Sequence, residues 1–385
     1  MKHSWTPKSV EDVLEVNIDS VPIEPTTLYQ FAGVYCFGKG LFAREELLGA
    51  NTTYKNFNRL HKDHITISKV KGWEGAIALI DEQYEGMFLS PQYPTFRVKD
   101  QNETEIKFIE YFLLQEKIWK ELLGKSVGIG ARRNSISEDK FLNLTLHLPP
   151  LPEQQRIVSK IETVKDRIEQ IKKLRSEQTK DLHNLLFSKY TELVDDAQWL
   201  PLKEVAPIVR REVTLKADEL YPELGIRCFG KGTFHKTALT GIEVATKKIF
   251  KIKKGDLVFS NVFAWEGGIA VAKEEDDDRY GSHRFISCVA VKDKALEEFL
   301  CFHFLTSKGL EDINACSPGG AGRNKTLGLD KLMKIRVPVP SISLQEEFVI
   351  LLNKVNAIKE QQNLIEKEIA ELMPALLDQA FKGEL

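Results

Sequence analysis

The sequence predicts an α+β protein: two similar globular modules separated by two long helices that form an antiparallel coiled coil. Two observations carry this. First, the chain is written twice. Cys36-Phe37-Gly38-Lys39-Gly40 returns as Cys228-Phe229-Gly230-Lys231-Gly232, and Trp73-Glu74-Gly75 as Trp265-Glu266-Gly267, in both cases 192 positions later. A constant offset means that the segments between the motifs have kept their length, and a period this long marks a duplicated domain rather than a solenoid repeat. Second, each half ends in a proline-rich hinge, Pro149-Pro150-Leu151-Pro152 and Pro338-Val339-Pro340, after which the apolar period changes to that of a helix.

The elements follow in order. The first module, residues 1–150, is read as short strands such as 64–68 and 76–80, punctuated by Gly and Pro. A helical segment at 106–123 follows, then the glycine-rich basic stretch ending Arg132-Arg133-Asn134. The helical region 151–195 places Ile157, Ile161, Val164, Ile168, Ile171, Arg175, Gln178, Leu182 and Leu185 in steps of four and three. The second module, 196–340, repeats the scheme with strands at 256–260 and 269–272, a helical segment at 296–314, and the basic stretch Arg323-Asn324-Lys325. The last region, 341–385, repeats the heptad spacing at Leu351, Val355, Ile358, Gln362, Ile365, Ile369, Leu372 and Leu376. Apolar a/d positions sustained this long leave a seam that must be covered, and the economical partner of each helix is the other. The competing arrangement packs each helix on its own module. Antiparallel pairing would put the modules at opposite ends of the helices, related by an approximate two-fold axis.

Composition narrows the function. The 385 residues are 42% hydrophobic and 29% charged, with a net charge of −2. No apolar run approaches the roughly 20 residues that span a bilayer, and the N-terminus lacks the apolar core of a signal peptide. Five cysteines with no CxxC pair point to reduced thiols in a cytoplasmic protein. Although the chain as a whole is not basic, residues 227–273 hold nine Lys/Arg against three Asp/Glu. Such a patch is either a footprint for a polyanion or a solvated lysine-rich face.

Catalytic constellations are missing from the sequence. The stretch through Asn324-Lys325-Thr326 approaches a phosphate-binding loop, but Asn324 stands where that pattern needs glycine. No metal-ligand spacing recurs in both halves. Chemistry shared by the repeats would have to use Lys39/Lys231, Glu74/Glu266 and an arginine, a set suited to binding more than to turnover.

Two similar modules, each followed by Pro-x-x-x-x-Gln and a long heptad helix, resemble the specificity subunit of type I restriction–modification systems. Leu151-Pro152-Glu153-Gln154-Gln155-Arg156-Ile157 resembles the start of that family's first helix. The final run Leu376-Leu377-Asp378-Gln379-Ala380-Phe381-Lys382-Gly383-Glu384-Leu385 resembles its C-terminus. The resemblance covers the whole chain. It implies that the modules are target-recognition domains for double-stranded DNA and that two methyltransferase (modification) subunits dock along the helices. It further implies adenine methylation done by those partners, with S-adenosylmethionine on the methyltransferase and no cofactor on this chain. Restriction and translocation would belong to a further subunit.

The candidate DNA-binding residues come in pairs. Lys39 and Lys231 sit between glycines, which either let the backbone approach DNA or simply form a tight turn. Lys69, Lys71 and Asn261 lie just before the repeated tryptophans, which are read as core anchors rather than base-stacking groups. Arg132, Arg133 and Asn134, with Arg323, Asn324 and Lys325, follow glycines and suit phosphate or guanine contacts. Cys36 and Cys228 are read as small buried residues. Because the halves are so alike, the expected target is bipartite and nearly palindromic, its halves made unequal by Lys69/Asn261, Lys71/Phe263 and the flanks of Arg133/Arg323. The rival reading is a two-headed coiled-coil adaptor for protein partners, without salt-dependent DNA affinity or sequence preference. An enzyme with an unrecognised site is the least favoured.

Overall fold

The computed structural model describes residues 5–124, 135–244, 248–317 and 325–385. It divides into two units, Met1–Arg175 with Gln362–Leu385, and Ser176–Gln361. Each unit therefore takes one module and part of both long helices.

In the first unit the central antiparallel sheet runs in the order Ile77–Leu79, Ile65–Ile67, Thr95–Val98, Leu14–Val16. Ile77 pairs with Ile67, and Phe96 lies opposite Ile65 on one side and Val16 on the other. Strands Ile65–Ile67 and Ile77–Leu79 are buried on both faces, which is why 64–68 and 76–80 read as apolar runs and not as alternation. One face packs on the helices Ile106–Leu113 and Glu116–Gly124 through Ile65, Ile67, Phe108 and Phe112. The stretch expected to be helical at 106–123 forms these two helices. Gln115 marks the break and donates its side-chain Nε2 back to the Phe112 carbonyl at 3.0 Å.

The second unit repeats this order with Ile269–Val271, Leu257–Ser260, Phe285–Cys288 and Ile208–Val209. Leu257 and Phe259 face the helices Glu297–Leu305 and Ser307–Ala315, while Val258 joins Leu224, Ile252 and Phe285 on the opposite face. Here the helix break falls at Thr306, whose hydroxyl accepts the Gly309 N–H at 3.2 Å and so caps the second helix.

The long helices run Leu151–Asp195 and Ile342–Ala380. Within the first unit Arg175 donates to the Gln362 carbonyl at 3.4 Å, and Arg156 donates to the Leu385 carbonyl at 2.7 Å. Residue numbers rise on one helix as they fall on the other, so the pairing is antiparallel. The second unit pairs Tyr190 with Phe348, ring centroids 6.3 Å apart. Both arrangements weighed from the sequence occur together. Ile157 and Ile161 bury in the core of the first module with Leu377 and Ala380, and Tyr190, Phe348 and Val355 bury with Phe299 of the second.

The heptad seam needs correction in its middle. Ile157, Ile161, Ile168, Val355 and Ile369 are buried, and Val164, Leu182, Leu351 and Ile358 are half-buried. Ile171, Ile365 and Leu372, however, are exposed at 40%, 41% and 49%, and Leu185 is exposed while Leu186 is buried. A helix of 3.6 residues per turn drifts by about 20° per heptad against a 3.5 repeat. Over this length the buried stripe slips by one residue, from Leu372 to Met373 and from Leu185 to Leu186.

Buried glutamines fix where each long helix leaves its module. Gln154 accepts the Glu105 N–H at 2.9 Å and donates to the carbonyls of Glu103 at 2.9 Å and Pro149 at 2.8 Å. Gln345 does the same with Leu296 N–H at 3.0 Å, Lys294 at 2.9 Å and Pro340 at 2.8 Å. This gives the Pro-x-x-x-x-Gln pattern a physical meaning. At the far end, Gly383 adopts φ +73°, Gly383 N–H reaches the Ala380 carbonyl and Glu384 N–H the Gln379 carbonyl. That is a Schellman cap. Phe381 folds onto Phe108 at 4.9 Å, so the Phe-x-Gly run closes the helix onto the first module.

Candidate nucleic-acid interface

The two repeated motifs of each module bind each other. In the first, Phe37 N–H donates to the Glu74 carbonyl at 2.8 Å, and Gly38 N–H to the Gly75 carbonyl at 2.9 Å. In the second, Phe229 and Gly230 donate to Glu266 and Gly267 at 2.7 and 2.9 Å. The thiols of Cys36 and Cys228 donate to the carboxylates of Glu74 and Glu266 at 3.5 and 3.4 Å. Both cysteines are half-buried rather than fully buried, which corrects the sequence reading. Burial, with the Glu74 hydrogen bond and charge adding to it, pushes the Cys36 thiol up.

To make these bonds the turn adopts a left-handed backbone at a bulky residue. Phe37 has φ +63° and Phe229 φ +60°, each followed by a left-handed glycine. An aromatic residue in this region is strained, and its ring points outward, 64% exposed at Phe37 and 74% at Phe229. Lys39 and Lys231 ride on the same turns and are exposed.

A second loop adjoins the first. Trp73 and Trp265 donate their indole N–H to Val70 and Val262 at 2.9 and 3.0 Å, and pack half-buried against the module cores, as anchors. Each tryptophan carries an ammonium, but from different places: Lys71 Nζ lies 5.1 Å from the Trp73 ring, and Lys325 Nζ 4.7 Å from that of Trp265. Lys71 also pairs with Glu74 at 2.8 Å, Lys69 pairs with Glu138 at 2.9 Å, and Lys325 donates to Asn314 at 2.8 Å.

The residues after the two glycine-rich stretches close the surface. Ile136 N–H donates to the Lys69 carbonyl and Leu327 N–H to the Asn261 carbonyl, both at 2.8 Å. On the other side, Lys69 N–H donates to the Gln92 carbonyl at 2.9 Å and Asn261 N–H to that of Arg284 at 2.7 Å. Four loops therefore meet in each module: 36–40, 68–75, 90–93 and 135–138 in the first, and 228–232, 260–267, 282–285 and 325–328 in the second. Lys39, Lys69 and Lys71 share one surface, as do Lys231, Asn261 and Lys325. Arg132, Arg133, Asn134, Arg323 and Asn324 lie outside the described residues. Gln92 and Arg284 were not singled out from sequence, since nothing local marks them; only the preserved offset of 192 and the bond from residue 69 or 261 do.

The basic patch at 227–273 is not a free footprint. Lys248 pairs with Glu212 at 2.9 Å, Lys251 with Asp278 at 3.1 Å, Lys253 with Asp277 at 3.6 Å and Lys273 with Glu275 at 3.8 Å; Lys254 pairs with Glu274. The acidic run 274–278 folds back onto the lysines. A cleft of about 890 Å³ beside the first turn holds Glu110, whose carboxyl burial pushes up to about 7. Cys301 follows the helix start in the second module by the same four residues as Glu110 does in the first, so this carboxyl is not shared by the repeats. Among the described residues no group of three or more His, Cys, Asp or Glu could hold a metal ion, and no helix is long and apolar enough to cross a membrane.

Comparison with known proteins agrees with the duplication. Residues 2–178 and 195–371 each match the type I restriction modification DNA specificity domain. No curated protein matches the chain. The fold is similar to that of the HsdS subunit from Thermoanaerobacter tengcongensis, with 19% identity, 100% of this chain and 98% of that one covered, and a TM-score of 0.58. It is also similar to a chain from a structure concerned with complex assembly and conformational transition of the type I R-M system, with 17% identity, 100% and 99% covered, and a TM-score of 0.71. Carrying that domain twice over most of its length, this chain belongs to the type I restriction modification DNA specificity family.

Proposed function

We propose that the chain reads a bipartite, nearly palindromic DNA target and directs partner subunits to methylate adenine within it. The observation that supports this is the four-loop surface, built twice with the same backbone bonds. Each copy offers lysines, an ammonium over the repeated tryptophan and loop backbone, the groups that grip phosphates and present base-reading side chains. Surface ion pairs such as Lys69–Glu138 and Lys71–Glu74 hold by only about 0–1 kcal/mol, so these lysines can swing to phosphate.

The chain itself carries no catalysis in this reading. Two methyltransferase subunits supply S-adenosylmethionine and the transfer, and a restriction subunit supplies cleavage where one is present. The assembly works in the cytoplasm. Docking along the helices is favoured by apolar side chains left in water there: Ile171, Leu174, Leu364, Ile365 and Leu372 in the first unit, and Leu185, Phe187 and Ile350 in the second.

The test is a methylation map of DNA from cells co-expressing the chain with its neighbouring methyltransferase gene. Two related half-sites in inverted orientation, with a fixed spacer, are expected. Unrelated halves would remove the near-palindrome. No motif and no binding of the methyltransferase would shift the reading to a protein-binding adaptor.

A further inference from the structure

The geometry points to Gln92 and Arg284 as paired specificity-determining residues that read the same position of the two half-sites, with Gln92 selecting adenine and Arg284 selecting guanine. This rests on the DNA-reading function proposed above.

Equivalence comes from the backbone. Each residue sits in the loop that leads into the third strand of its module's sheet, and each accepts at its carbonyl the N–H of the loop before the repeated tryptophan. The platform is rigid in both copies. Tyr93 N–H closes the first turn on the Ser90 carbonyl at 3.1 Å, and Asn58 Nδ2 holds the Tyr93 carbonyl at 2.9 Å. In the second, Arg284 N–H meets the Ser282 hydroxyl at 3.3 Å, and Arg210 holds the Phe285 carbonyl at 2.8 Å. A base reader needs such a frame, because discrimination depends on fixed donor positions.

Elimination then isolates the side chains. At this corner Lys69 and Lys71 pair with carboxylates and Lys325 donates to Asn314, contacts weak enough to yield to phosphate, which carries no sequence information. Gln92 and Arg284 are exposed, and neither has a side-chain hydrogen bond or ion pair among the described residues. Arg284 lines a cavity of about 360 Å³ with Asn261, Val262, His283 and Thr326, and the buried Asn261 Oδ1 has no hydrogen-bond partner among the described residues. Their chemistry differs in the way that matters. A carboxamide pairs in two places with adenine N6 and N7, and a guanidinium with guanine O6 and N7. His283 adds a ring donor or acceptor where the first module has Pro91, which offers only a carbonyl.

The experiment uses the complex with its methyltransferase partner. Methylation maps are compared for the wild type, Arg284→Gln, Arg284→Lys and Gln92→Arg. Arg284→Gln is expected to change one guanine of one half-site to adenine, with the other half and the spacer unchanged, and Gln92→Arg to make the reverse change in the other half. An unchanged motif in both exchanges, or a uniform fall in methylation with every base preference intact, overturns the inference. Should the exchanged complexes be inactive, binding of the wild type and the Arg284→Ala variant to duplexes carrying 7-deazaguanine decides. Loss of N7 at one guanine should weaken wild-type binding on the order of ten- to a hundredfold and leave the alanine variant indifferent. Equal sensitivity in both proteins rejects Arg284 as the reader. A wild-type map without a bipartite motif would instead reject the proposed function.

Discussion

Gln154→Ala should loosen the joint between the first module and the long helix that leaves it. The side chain is fully buried and makes three hydrogen bonds, to Glu105 N–H and to the carbonyls of Glu103 and Pro149. Alanine strands one N–H and two carbonyls without water. At about 1 kcal/mol for each net bond, the loss is about 3 kcal/mol. For a unit of this size each kcal/mol moves the melting temperature by about 2–4 °C, so the shift should be about 6–12 °C. Differential scanning calorimetry is the assay, because a chain of two units need not melt in one step and the affected transition can be followed by itself. Gln170→Ala, at an exposed position on the same helix, is the control. Gln345→Ala should lower the other transition by a similar amount, since its three bonds are the same in kind. A shift no larger than that of the control would refute the view that these glutamines pin the helices. A loss spread over both transitions would refute the assignment of one glutamine to each unit.

Three further outcomes are expected. Burial lowers the imidazole of His303, bonded to Tyr190 at 2.6 Å, to about 4. The unfolded chain takes up that proton near pH 6.5 and the folded one does not, so the second unit should lose stability as pH falls from 6.5 towards 4, by about 2 kcal/mol at pH 5. Calorimetry at pH 7.5 and 5 should show a smaller fall for His303→Phe than for the wild type; an equal fall would refute the buried neutral histidine. Gly383→Ala forces a β-carbon into a left-handed cap at φ +73°, and should cost the first unit about 1–2 kcal/mol, read as a lower first melting transition. Lys39→Ala and Lys231→Ala should each reduce the slope of log affinity against log salt by about 1 and leave the recognised motif unchanged, measured by anisotropy over a salt series. A changed motif would make these lysines base readers.

Much of the architecture was legible because it is periodic. The two motifs at a constant offset announce the duplication, and the shift to steps of three and four announces the helices. What escaped depended on contacts that no sequence pattern marks. The offset of 192 extends well beyond the motifs, to Tyr29 and Tyr221, whose hydroxyls accept the Glu24 and Lys216 N–H at 2.9 and 2.8 Å. It extends also to Gly33 and Gly225, where a β-carbon would stand 2.3 and 2.2 Å from the rings of Phe42 and Phe234. Single tyrosines and glycines are too common to be noticed until their roles coincide. The charge count over 227–273 left a polyanion footprint and a solvated lysine-rich face open, because it cannot show that the acids at 274–278 fold back on the lysines. Heptad counting placed Leu372 and Leu185 inside because it holds the period at 3.5, while the helix keeps its own.

The two modules differ in where freedom is allowed. The turns at 36–40 and 228–232, and their bonds to the 74–75 and 266–267 carbonyls, are made of backbone and glycine, so exposed side chains can change without disturbing the frame. Lys71 gives way to Phe263, Lys69 to Asn261 and Gln92 to Arg284 on the same platform. The ammonium over the tryptophan does not follow this rule. Losing Lys71 in the second module is offset by Lys325, which comes from a different loop and lies 4.7 Å from the Trp265 ring. A cation over a half-buried indole stabilises by only about 0.5–2 kcal/mol, too little to make this placement necessary for folding. A charge that keeps its position while its source changes is better explained by what it faces. Under the function proposed above, that is a phosphate: an obligation common to both half-sites, whereas the base beside it is free to differ.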